Sequence, residues 1–178
     1  LLHVPGKVSS VIESHRIHTS FIQNLPFAKS KYRYYLPLMP FAIETFDLKG
    51  YDLILSSSHC VAKSVKPVRN SLHICYCHTP MRYIWDQFDQ YFGKRKSSWF
   101  AATAMKFIRG WLQSWDVRTS RRVNHYIANS RHVQKRIKKY NIAAYIAMMP
   151  IIRMNEGIIS ITDPLSSNVL DTVRITVQ

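Results

Sequence analysis

Apolar and polar positions change rhythm several times along this chain. "YDLILSSS", 51–58, is an apolar run that breaks into serines, which predicts a buried strand running into a turn. "LHICYC", 72–77, predicts a second strand, and "HYIANS", 125–130, a third that ends at a turn. The longest helical pattern is "SSWFAATAMKFIRGWLQSWDVRTSRRV", 97–123, with apolar residues at 100, 104, 107, 108, 111, 112 and 115, close to a 3.6 period. Shorter helices are predicted for "PFAIETFDL", 40–48, begun by Pro40, and for "HCVAKSV" with Ser58 as its N-cap. Two more follow, one opened by Pro80 and one over the basic "RHVQKRIKKY", capped by Ser130. Residues 5–40, punctuated by Pro5, Pro26, Pro37 and Pro40, read as irregular, and no internal repeat is present.

Strands separated by helices predict an α/β fold built on a parallel sheet. Ligands of such sheets bind outside the carboxyl ends of the strands. By that rule Ser56–His59, Cys77–Arg82 and Asn129–His132 border one crevice. No run of eighteen apolar residues exists, so no transmembrane helix is expected.

Charge sharpens this picture. The formal charge is +15, and eight histidines add to it on protonation. Residues 1–140 hold 23 Lys and Arg against 7 Asp and Glu, whereas residues 141–178 hold 2 against 3. Such a balance predicts an anionic partner: a phosphorylated substrate, an acidic membrane surface or nucleic acid. No helix-turn-helix, zinc-finger or RNP pattern accompanies it, so no nucleic acid is expected. With three cysteines, two of them alternating in one apolar run, a reducing cytoplasmic setting is expected.

"LHICYCHTPMRYIWD", 72–86, concentrates the reactive side chains. Cys75, Cys77 and His78 have C-x-C-H spacing, but on a strand the two cysteines share a face and His78 takes the other. A structural zinc site wants four ligands, so the cysteines read as small buried hydrophobes and no metal is expected. Cys77 beside His78 is not a nucleophile with its base either, because strand neighbours diverge. The remaining reading is a strand-end loop. His78 follows the strand, Thr79 and Pro80 stop it, and Arg82 adds a planar fork for phosphate or carboxylate. The residues alone leave open whether His78 binds a ligand or only caps a helix. The serines of "SSSH" and the charges of "GKRK" and "KKY" read first as a cap and as solvated surface.

"IHTSFIQNLP", "YLPLMP", "YDLILSSSHCVAK", "LHICYCHTPMRYIWD" and "VNHYIANSRHVQKRIKKY", in this order, resemble the N-terminal domain of family-four glycosyltransferases, from about Pro5 to Tyr140. The resemblance implies an incomplete Rossmann-like parallel sheet with flanking helices, half of a GT-B fold. It also implies a retaining, mannosyltransferase-like hexosyltransferase of cell-surface polysaccharide synthesis. This chain would be the acceptor-binding half, for a saccharide or lipid-linked saccharide. His78 would lie near the transferred sugar. Ser58, His59, Thr79, Pro80, Arg82, Tyr83, Asp86, Asn129 and Ser130 would edge the cleft. No cofactor is implied beyond a nucleotide-sugar donor, whose binding domain has no counterpart here: the glutamates Glu13, Glu44 and Glu156 lack the family's spacing. The relatives' first strand and glycine-rich loop also lack a counterpart, which predicts two unpaired strand edges or a rearrangement of the sheet. Residues 1–140 are thus expected to be the glycosyltransferase-like domain, truncated at both ends, and 141–178 an unmatched, frame-disrupted tail. No sugar transfer is expected from this chain alone. The aromatic stripe of 97–116 with its neighbouring cations implies a peripheral hold on an anionic membrane, unless that stripe is core. A basic nucleic-acid-binding protein and a non-catalytic membrane module are the alternative functions.

Overall fold

In the computed structural model the described residues are 1–92, 99–140, 142, 146–147, 151–155, 158–162 and 169–174. The "GKRK" run, the first two residues of the helix expected at 97–123 and the charge break at Asn141 lie outside them. The chain divides into two compact units, Leu1–Asp47 and Leu48–Gln178.

The first unit holds short helices, two of them where irregular chain is expected and the third where Pro40 predicts one. They are α1 (Ser10–Glu13), α2 (Ala28–Lys31) and α3 (Met39–Glu44), with 3-10 turns at Phe21–Asn24 and Tyr32–Leu38 between them. Pro26, Pro37 and Pro40 interrupt the stretch that holds α2 and α3, since each removes a backbone donor. Pro40 sits in the first turn of α3, where that loss costs least. Gln23 fastens the start of the chain, accepting from His3 N–H at 2.8 Å and donating to His3 C=O at 2.9 Å. Ile22, Ala28, Leu36 and Ala42 are buried.

The second unit is an α/β layer. Strands β1 (Leu53–Ser58), β2 (Leu72–Cys77), β3 (His125–Ala128) and β4 (Ile146–Ala147) are all parallel, in the order β1-β2-β3-β4. This is the Rossmann-like α/β class. Parallel neighbours need crossovers, and helices supply two of them. α4 (Arg82–Trp85), α5 (Phe88–Phe92) and α6 (Trp99–Ser120) join β2 to β3, and α7 (Arg131–Lys139) joins β3 to β4. The four strands pair in that order, β1 and β4 being the outer ones.

Two expectations are corrected. Residues 59–65 do not form a helix capped by Ser58; a 3-10 turn, Ala62–Ser64, stands there. Pro67 holds Lys66 out of the helical region, and the β-branched Val61 and Val65 disfavour the short segment left. Nor is β1 buried on both faces: Ile54, Ser56 and Ser58 are buried, whereas Leu55 is 67% exposed.

One face of the sheet builds the core. Cys75 pairs with Tyr126 and Cys77 with Ala128, so these four share a face. Val133, Ile137 and Tyr140 from α7 and its C-cap, with Ile142, cover them. Ser130 caps α7, its Oγ accepting from Val133 N–H at 3.3 Å. Beyond β4 lies a second sheet that the sequence reading lacks, an antiparallel meander of β5 (Ile151–Asn155), β6 (Ile158–Thr162) and β7 (Val169–Arg174). Among the described residues no helix is long and apolar enough to cross a membrane.

Candidate functional site

β1, β2 and β3 run in the same direction, so their carboxyl ends emerge together. A cavity of about 790 Å³ opens there. Backbone bonds extend the ladder into its loops: His78 N–H donates to Ser58 C=O at 2.9 Å, and Asn129 N–H to Cys77 C=O at 3.4 Å. These bonds fix where each loop leaves the sheet.

Five of the sequence-derived site residues line this cavity: His59, His78, Thr79, Arg82 and Asp86. His78 is exposed, and its Nε2 lies 2.8 Å from Ser57 Oγ. Tyr76 braces the same ring edge-on at 5.0 Å. Partial burial lowers the His59 pKa below its ordinary value, and the charges of His78 and Arg82 lower it further.

The other predicted residues lie elsewhere. Ser58 is 1% exposed and faces the core side, where its Oγ accepts from Lys63 N–H and donates to Cys60 C=O, both at 3.3 Å. Pro80 is buried, and Tyr83 is half-buried outside the lining. Asn129 and Ser130 are exposed and do not line the cavity; Ser130 serves as the α7 cap.

The remaining wall comes from α7; His132 ends the Asn129–His132 stretch expected at the crevice, whereas the helix's other lining residues have no place among the expected site residues. His132, Lys135, Arg136 and Lys139 face the cavity, with Tyr140 just beyond the helix and Gln87 opposite. The "KKY" charges are therefore only partly free surface. Their signal was available: His132, Lys135 and Lys139 recur at helical spacing directly after a strand end.

Asp86 organises this wall. Arg136 donates from Nη2 to Asp86 and from Nη1 to Thr79 Oγ1, and Tyr140 donates its hydroxyl to the other Asp86 oxygen. Asp86 thus neutralises Arg136. No hydrogen bond or ion pair to a side chain of the described residues engages the Arg82, His132 or Lys135 side chains. The net field of the cavity is positive.

Behind the loops lies a buried ion pair. Lys63 Nζ stands 2.7 Å from Asp116 Oδ1, and both side chains are at most 2% exposed. Asp116 Oδ2 accepts from Trp85 Nε1 at 2.9 Å, which ties the segment after Pro80 to α6. The cysteines are no nucleophiles: burial pushes the Cys75 thiol up to about 11 and the Cys77 thiol up to about 12, so both stay protonated.

A sequence model described as Glycosyltransferase Family 4 matches residues 4–150. No curated protein and no solved structure matches the chain.

Proposed function

Because the chain belongs to Glycosyltransferase Family 4, we propose that it forms the acceptor-binding side of a retaining hexosyltransferase, of mannosyltransferase-like specificity, serving cell-surface polysaccharide assembly. The observation that carries this reading is the cavity at the carboxyl ends of β1, β2 and β3, with His78 exposed at its wall and held against Ser57. An imidazole so placed can hydrogen-bond a sugar hydroxyl. Arg82 offers a planar fork beside it. Asp86 acts through others, fixing Arg136 and Tyr140 in place. The nucleotide-sugar would face this cavity from a donor-side domain; its anomeric carbon–phosphate oxygen bond would break, the nucleotide phosphate leaving, and the acceptor hydroxyl, losing its proton, would take the hexose with retained anomeric configuration. Nucleic-acid binding is not favoured, since the cations of α7 line a concavity and do not form an exposed track along a backbone.

Saturation-transfer NMR with hexose-terminated oligosaccharides tests this. Binding should occur with the wild-type chain and fall with His78→Ala, while Cys75→Ala, on the core side, should leave the saccharide epitope unchanged. No saccharide signal, or equal loss in both variants, would overturn the reading.

A further inference from the structure

Four cations, Arg82, Lys135, Arg136 and Lys139, line the cavity against one carboxylate, and three histidines stand among them. Asp86 is committed to Arg136 and Tyr140, so it offsets one cation only. Lys139 lies over the Tyr140 ring at 5.1 Å, a contact that leaves its ammonium protons available. Lys135 and Lys139 are one turn apart on α7, and Arg82 comes to the same cavity from the segment after β2. A neutral saccharide needs none of this charge, and a carboxylate would balance only one cation. A phosphate ester brings roughly −1.5 to −2 at neutral pH, and a diphosphate more, which matches the excess.

We infer that the cavity selects a phosphate-bearing acceptor, with Arg82, Lys135 and Lys139 gripping a phosphate or diphosphate ester while His78 faces the sugar or hydroxyl that is glycosylated. This rests on the acceptor-side reading above and names the substrate class of the same site. Arg82 supplies two donors in a fixed fork, and the lysines supply mobile point charges that follow a flexible diphosphate. The same phosphate chemistry occurs in a soluble sugar phosphate and in a lipid-linked diphosphate, and the experiment separates them.

The full chain is titrated calorimetrically with inorganic pyrophosphate at low and high salt. Lys135→Gln with Lys139→Gln forms the test pair. Arg131→Gln with Lys138→Gln forms the control, since both residues are exposed on the same helix outside the cavity lining. The two pairs change net charge equally and spare the buried Val133 and Ile137. Loss of charge-assisted hydrogen bonds should weaken binding roughly tenfold or more in the test pair, against less than about twofold in the control. Absence of pyrophosphate binding at low salt, or equal weakening in the two pairs, overturns the inference. A second series compares a sugar 1-phosphate, a short-chain prenyl diphosphate and a nucleoside diphosphate. Preference for either of the first two supports the inference and identifies the source. Preference for the nucleoside diphosphate makes this a donor site and overturns it. Oligosaccharide binding by NMR without pyrophosphate binding removes this inference alone; loss of both removes the acceptor reading as well.

Discussion

The Trp85 indole lies stacked on the Tyr140 ring, with centroids 4.5 Å apart and planes 18° from parallel. Each ring also carries a polar bond outward, the indole to Asp116 on α6 and the phenol to Asp86 at the cavity. The stack therefore joins the buried ion pair to the cavity wall. Tyr140→Phe should cost about 1 kcal/mol, because it removes one hydrogen bond near solvent. Trp85→Phe keeps a ring but abandons a buried carboxylate oxygen, at about 1.5–3 kcal/mol. Trp85→Ala adds the loss of the stack, about 0.5–1.5 kcal/mol beyond its buried area. Urea midpoints of the three variants should fall in that order, and a Tyr140→Phe variant as unstable as Trp85→Ala would refute the arrangement.

Lys63 and Asp116 answer to a different rule. Removing one partner strands a buried charge, so Lys63→Met should cost about 3–5 kcal/mol. Lys63→Met combined with Asp116→Leu removes both charges and should recover much of that loss, short of the bond that Trp85 forfeits. Chemical denaturation of the two singles and the double gives the coupling directly. Additive losses would mean that the two charges do not depend on one another.

His73 makes stability depend on pH. Its Nδ1 donates to Arg122 C=O at 3.2 Å, so the neutral ring leaves Nε2 to accept from Ser56 Oγ at 2.9 Å. Burial lowers its pKa from 6.5 to about 4, with the Lys63 charge adding to that and the Arg122 carbonyl opposing it. The folded state thus binds fewer protons than the unfolded state between these values. Its contribution is complete above the unfolded pKa and disappears as pH falls from 6.5 through about 4, by up to about 3 kcal/mol. Unfolding free energies at neutral pH and near pH 4.5 should differ less in His73→Gln than in the wild type. An unchanged pH slope would mean that His73 is charged in the fold.

Much of this was legible in the sequence, for identifiable reasons. β2 is read to the residue because Leu72–Cys77 is bounded by Ser71 and by Thr79–Pro80. The Ser130 cap is read because a single side chain does the capping. The strand-end rule takes in Ser56–His59 without separating its serines, and the resemblance singles out Ser58; a period of two needs an anchor, and "LILSSS" is apolar on both faces before it turns polar. Which serine meets His78 is set by the parallel register Ser57↔Tyr76, a non-local fact. The cations of α7 were read as solvated because their second wall, the His78–Asp86 loop, lies some fifty residues away in sequence.

The stripe on α6 turns out to be two faces. Leu112 and Trp115 are buried, with Asp116 and Thr119 beside them, so this part is core. Phe107 and Trp111, one turn apart, are 78% and 41% exposed. Lys106 and Arg118 are exposed on the same helix, and Arg121 follows its end. Aromatics on both sides of one helix gave the sequence a single broad period that hid the division. The outward pair with its cations has the chemistry of an interfacial anchor: each basic residue near an anionic leaflet contributes roughly 1 kcal/mol, fading over about a Debye length. The rings can then settle at the headgroup boundary. Vesicle co-sedimentation should show binding to anionic lipid that weakens in high salt and is small for neutral lipid. Phe107→Ser with Trp111→Ser should abolish most of it and lower the urea midpoint by far less than Leu112→Ala, because Phe107 is 78% and Trp111 41% exposed whereas Leu112 is buried. If the same pair lowers stability by several kcal/mol, or leaves sedimentation untouched, the outward face is not an anchor.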